Sequence, residues 1–132
     1  MAGVTPATGV AIIAVRFVGT QTTEELIGIA TSIADGLARE LGSRVLLDWS
    51  EVQAWTCEAA ALPVESWTAA SCRIDRAAIV HHHRWNRQAA WLAAVLRQGK
   101  TNVRSWRIAD RDNAVAWLGD AANLVSLKEA RP

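Results

Sequence analysis

The chain has 132 residues, 51% hydrophobic and 20% charged, which is enough for one buried core and too apolar for disorder. Its 14 basic residues nearly cancel its 13 acidic ones, so the net charge of +1 gives no argument for a nucleic-acid or anionic-membrane partner. The longest apolar run, residues 9–15, is too short to span a bilayer, and Met1 to Pro6 show no basic region leading into an apolar stretch, so neither a transmembrane segment nor a secretory leader is expected. Cys57 and Cys72 do not form a C-x-x-C pair, and a reduced, cytoplasmic protein, monomer or homodimer, is the expectation. The unusual feature is aromatic usage: seven Trp, one Phe and no Tyr.

In chain order, residues 3–8 form a candidate strand, with Ala7-Thr8-Gly9 as a hairpin turn. Residues 9–19 are β-rich and almost continuously apolar (Val10, Ile12, Ile13, Val15, Phe17, Val18), which predicts a strand covered on both faces. Thr22 and Glu25 have capping-box spacing, and Leu26, Ala30, Ile33, Leu37 and Leu41 recur at helical period up to a stop at Gly42. Residues 44–49 predict a buried strand that ends at Asp48, and residues 50–62 give no clear pattern. A short helix over 64–71 has Pro63 near its first turn. Residues 74–81 predict a strand, and 84–98 a helix with Trp85, Ala89, Leu92 and Leu96 on one face and Gly99 at its end. Residues 102–108 predict the last strand, and Asp110 caps a final helix with Ala114, Trp117, Leu118 and Ala121 inward. Strand–helix alternation implies parallel neighbours, and the initial hairpin adds an antiparallel edge. The predicted fold is a small α/β sandwich: a single domain over 1–132, with a mixed, mostly parallel five-stranded sheet and four helices.

This order and spacing resembles the SpoIIAA-like family of the STAS class. The pieces that carry the resemblance are Phe17-Val18-Gly19 with Thr22 and Glu25, Val45-Leu46-Leu47-Asp48, Arg76 to Val80, Trp85, Val103-Arg104 with Trp106, and Ala114 with Trp117-Leu118. The resemblance implies the fold above, and a role in protein–protein switching or in holding an apolar ligand. Relatives that switch carry a phosphorylatable serine in Asp-Ser-Ser-Gly; here Thr56-Cys57-Glu58-Ala59 stands in its place, so the phospho-serine motif is missing, although Glu58 supplies a negative charge nearby.

The residues themselves offer several sites. His81-His82-His83 follows a strand, where loops at the carboxyl ends of parallel strands host ligands. Strand side chains alternate, so only His81 and His83 share a direction, and a metal would need outside ligands such as Cys57, Cys72 or Asp48. Cys57 or Cys72 beside a histidine, oriented by Asp48, is a candidate nucleophilic arrangement, and no G-x-S-x-G, G-x-G-x-x-G or P-loop is present. Asp48 and Glu51 are candidate acid–base carboxylates or turn-formers. Trp85, Trp106 and Trp117 fall on apolar faces, and Trp91 stands four residues after Arg87, a cation–π spacing. Trp49, Trp55 and Trp67 gather around the loop and short helix. The reading is a non-enzymatic domain without catalytic residues, metal or cofactor. Its surface of Trp49, Trp55, Trp67, His81, His83 and Trp85 takes a protein partner or a small apolar molecule. The alternatives are an enzyme or metal protein using His81 and His83, and an anti-sigma factor antagonist-like regulator.

Overall fold

The computed structural model describes residues 12–38, 44–56, 63–119 and 124–126. In β1 (Ile12–Gln21) both alternating sets are buried at its start, Ile13, Val15 and Phe17 on one face and Ile12 and Ala14 on the other. This is why its sequence is apolar without a polar beat. α1 (Thr23–Ala38) begins where Thr22 Oγ1 accepts the Glu25 N–H at 3.1 Å, the cap its sequence predicts, and buries Leu26, Ile29, Ala30 and Ile33. The rest of its expected stripe and the Gly42 stop lie outside the described side chains.

β2 (Arg44–Trp55) is twice the predicted length, and Asp48 stands mid-strand. The reason is pairing: β1 continues beside β2 as far as Gln21 and Trp55, whereas β3 leaves it at Asp48 and Val80. α2 (Val64–Ser71) occupies the predicted span, with Pro63 at the cap position. There follow β3 (Arg76–His81), a 3₁₀ turn at His83–Trp85, α3 (Asn86–Gln98) and β4 (Asn102–Arg107). A second 3₁₀ turn at Ile108–Asp110 leads into α4 (Arg111–Leu118), and β5 (Leu124–Ser126) completes the set. Asp110 holds the cap position of α4 but makes no side-chain cap bond, because its turn already continues into the helix.

The sheet runs β4-β3-β2-β1-β5, and every pairing is parallel. The expected mixed sheet is therefore corrected among the described residues. The expected strand at 3–8 lies outside them, and the edge of β1 that a hairpin needs is taken over Ile12–Ala14 by β5. Topology explains the layers. Steps from β1 to β4 all progress one way, so right-handed crossovers place α1, α2 and α3 on one face; the return to β5 reverses direction and puts α4 on the other. The larger core lies under α1–α3 and the smaller joins Ile12, Ala14, Leu46, Ala78 and Val80 to Ala114, Val115 and Leu118 of α4.

Two arginines at the amino ends of strands finish α4. Arg44 Nη1 donates to Leu118 O at 2.6 Å and Arg76 Nη1 to Trp117 O at 2.8 Å, placing cations on carbonyls that the helix leaves unpaired. Arg76 and Arg104 also lie over the Trp117 ring, at 5.5 and 5.4 Å. Among the described residues, no helix is long and apolar enough to cross a membrane.

Candidate functional site

The tryptophans divide differently from their expected positions. Trp49 and Trp67 are fully buried, so neither belongs to a surface. β2 continues past Asp48, which turns Trp49 into the α1–α3 core, and the short helix α2 points Trp67 into the same space. Phe17 sits between them, its ring centroid 5.6 Å from Trp49 and 6.5 Å from Trp67. Trp55 and Trp85 are partly buried and extend the column outward: Trp49 to Trp55 is 4.9 Å, Trp55 to Trp85 is 6.2 Å. Trp91 packs against this core, and the cation–π partner in that region is Arg84 on Trp85 at 5.1 Å, not Arg87 on Trp91. Trp106 and Trp117 pack on the smaller core.

The column reaches an open cleft through His81, whose ring lies 6.0 Å from Trp49. This cleft has a volume of about 520 Å³ and is lined by His81, His83, Asn86, Ser105, Trp106 and Arg107. Its walls are the carboxyl ends of two adjacent strands and the beginning of α3. The register pairs Val80 with Trp106 and His81 with Arg107, so residues 26 positions apart in the chain meet at one end of the sheet. β4 is the sheet edge, and there Ser105 and Arg107 are exposed.

His81 and His83 both line the cleft while His82 is exposed; β3 ends at His81 and His83 opens the 3₁₀ turn, so the turn and not strand alternation brings the second imidazole there. His81 is 93% buried by its 7% exposure. Its Nδ1 lies 2.7 Å from His82 O; a carbonyl only accepts, so this nitrogen carries the proton and Nε2 is the atom left for the cleft. Nε2 has no partner among the described residues. The Arg107 guanidinium likewise forms no ion pair among them.

The expected chemical alternatives find no assembly here. Among the described residues no three His, Cys, Asp or Glu side chains are grouped to hold a metal. Cys72 is an exposed free thiol just before β3, at the opposite end of that strand from His81. Asp48 accepts the Ser50 N–H at 2.9 Å and lies 3.5 Å from Arg111 Nε on the α4 side, so it does not orient a histidine. Glu51 pairs with Arg16 at 3.4 Å on the surface. The Thr56 N–H donates to Gln21 O at 3.1 Å; Cys57, Glu58 and Ala59 lie outside the described residues.

Of the residues that line this cleft, the sequence singled out His81 and His83 as candidates and read Trp106 as core, and it offered no reason to choose Asn86, Ser105 or Arg107. The signal that finds them is the strand-end rule itself, applied to the strand after the histidines as well as to the one before.

A family model described as SpoIIAA-like matches residues 12–119. The crystal structure of an uncharacterized protein from the DUF3478 family with a SpoIIAA-like fold, from Shewanella loihica PV-4, superposes with a TM-score of 0.50 at 20% sequence identity, covering 78% of this chain and 80% of that one. At that identity the likeness concerns the fold. No curated protein matches the chain.

Proposed function

The chain belongs to the SpoIIAA-like family, and from that premise we propose that it is a non-enzymatic, STAS-type binding domain of the reducing cytoplasm whose ligand or partner group enters the cleft beside β3 and β4. The observation that carries this reading is the cleft: about 520 Å³, within the range of small-molecule sites, with the polar residues His81, His83, Asn86, Ser105 and Arg107 gathered at the ends of two paired strands and the start of α3. The aromatic column supports the cleft from behind. With Trp49 and Trp67 fully buried, an open apolar surface built on them has no support, and the recognition site moves to its polar end.

Binding is favoured over catalysis by how the polar groups are used. Ser105 and His81 share the cleft with no hydrogen bond between them among the described residues. His81 Nδ1 is held by a backbone carbonyl, which orients the ring but lacks the negative charge by which a carboxylate stabilises the imidazolium of an acyl-transfer base.

A fragment screen read by ¹H–¹⁵N correlation spectra tests this. Bound fragments should shift His81, His83, Asn86 and Ser105 to Arg107 together. Hits confined to other surfaces, or turnover of a hydrolysable fragment that is lost in His81→Asn, overturn the reading.

A further inference from the structure

The β4 edge of the sheet is open where it borders the cleft. Along a strand, N–H and C=O groups turn alternately to the two sides. The Asn102 N–H donates to Asp75 O at 3.0 Å, so Asn102, Arg104 and Trp106 serve the ladder with β3, and Val103, Ser105 and Arg107 turn theirs away from the sheet. Arg97 Nη2 donates to Val103 O at 3.0 Å and closes the beginning of the edge. Beyond it, the N–H and C=O of Ser105 and the N–H of Arg107 have no partner among the described residues, and both residues are exposed. Ser105 and Arg107 also line the cleft, so a strand laid on this edge sets every second side chain beside it.

Net charge conceals what stands around this edge. Between residues 76 and 109 the chain carries seven of its 14 basic residues and none of its 13 acidic ones. Among the described residues the ion pairs are made by Arg16, Arg44 and Arg111, so none of those seven has a carboxylate partner there. Four of them surround the edge, all exposed: Arg97 and Lys100 at its start, Arg104 over Trp117 on the α4 face, and Arg107 at its end. Cations on an edge keep two copies of a chain from pairing, because like charges meet across the new ladder. The same cations favour an incoming strand of opposite charge. A nucleic acid answers the charge but brings no alternating carbonyl and amide groups to Ser105 and Arg107.

We infer that β4 takes an added strand: an extended, acidic segment of a partner protein, bonded to the main chain of Ser105 and Arg107, with its carboxylates beside Arg97, Lys100 and Arg104 and an uncharged side chain at the cleft. The inference rests on the binding reading above and names the partner class for it. In strand addition the main-chain bonds supply affinity, and the side-chain pocket and the surrounding charges select the sequence.

The test uses the whole chain and a synthetic hexapeptide, acetyl-Thr-Glu-Val-Glu-Val-Thr-amide, with its Lys-for-Glu counterpart at equal ionic strength. The acidic peptide should shift the ¹H–¹⁵N signals of Val103 to Arg107 saturably and slow hydrogen exchange of the Ser105 and Arg107 amides at least tenfold; the basic peptide should do neither. Ser105→Pro removes an outward N–H that β3 does not use, and should weaken binding at least tenfold. Arg104→Glu should weaken the acidic peptide at least fivefold and admit the basic one, a reversal that a merely structural role does not give. If the proline variant fails to fold, amide protection and charge reversal decide. Equal binding of the two peptides, or shifts without protection of the two amides, overturn the inference. So does protection of the same amides in a concentration-dependent dimer without peptide, which would mean a second copy, and so does tighter binding of duplex DNA with shifts spread along α3, which would mean a polyanion surface. If neutral fragments occupy the cleft while the acidic peptide fails, the partner class is wrong and the binding reading survives; if neither shifts the cleft residues, the binding reading itself fails.

Discussion

Gly99 ends α3 for a reason other than the usual one. Its φ of −89° suits any residue, and the left-handed turn belongs to Lys100, at φ 72°. What Gly99 provides is room: a Cβ there would collide with Ser71 Oγ and stand 2.8 Å from Ser71 Cβ. Ser71 is fully buried and donates to Thr68 O at 2.7 Å, so it cannot move aside without losing that bond. Gly99→Ala should cost about 1–3 kcal/mol in chemical denaturation. Lys100→Gly should stabilise by about 0.5–1 kcal/mol, since it relieves a positive φ. Trp67 has the same lesson for the aromatics. Its indole N–H is buried without an acceptor among the described residues, so Trp67→Phe loses volume and no hydrogen bond, for about 1–3 kcal/mol. That variant should still bind the cleft ligand; a loss of binding with the fold intact would return Trp67 to the site.

At the scale of elements, β1 to β4 and all four helices were legible because each carries its own period or cap. Thr22 illustrates it: threonine three residues before Glu25 reads as a helix start, and the bond is made at 3.1 Å. Thr22→Ala should lower stability by about 1 kcal/mol, seen as a shift of the denaturation midpoint with an unchanged slope. The length of β2 was not legible, since residues 50–55 (Ser-Glu-Val-Gln-Ala-Trp) alternate only loosely and owe their strand to pairing with β1. The same long-range pairing hid the destination of Trp49. Burial on this strand is decided by a neighbour contributed from elsewhere in the chain. β5 escaped notice because three residues carry no period.

At the scale of the molecule, one sheet holds two cores of unequal size and leaves a polar cleft at its β4 edge. The histidine half of that cleft was visible in the chain, because three adjacent imidazoles stand out. The arginine half was not, because Arg107 meets His81 only through the β3–β4 register. Likewise a net charge of +1 conceals that the acidic residues all lie outside 76–109. The central claim is that recognition belongs to this polar cleft and not to the aromatic column behind it. The most direct measurement is the affinity of the tightest fragment from the screen for Ser105→Trp and Trp67→Phe compared with the unaltered chain. Ser105 is exposed on the edge strand, so a bulky ring there fills the cleft without disturbing the core. The account predicts that Ser105→Trp abolishes binding while Trp67→Phe retains it within twofold; retained binding in Ser105→Trp with loss in Trp67→Phe would contradict it.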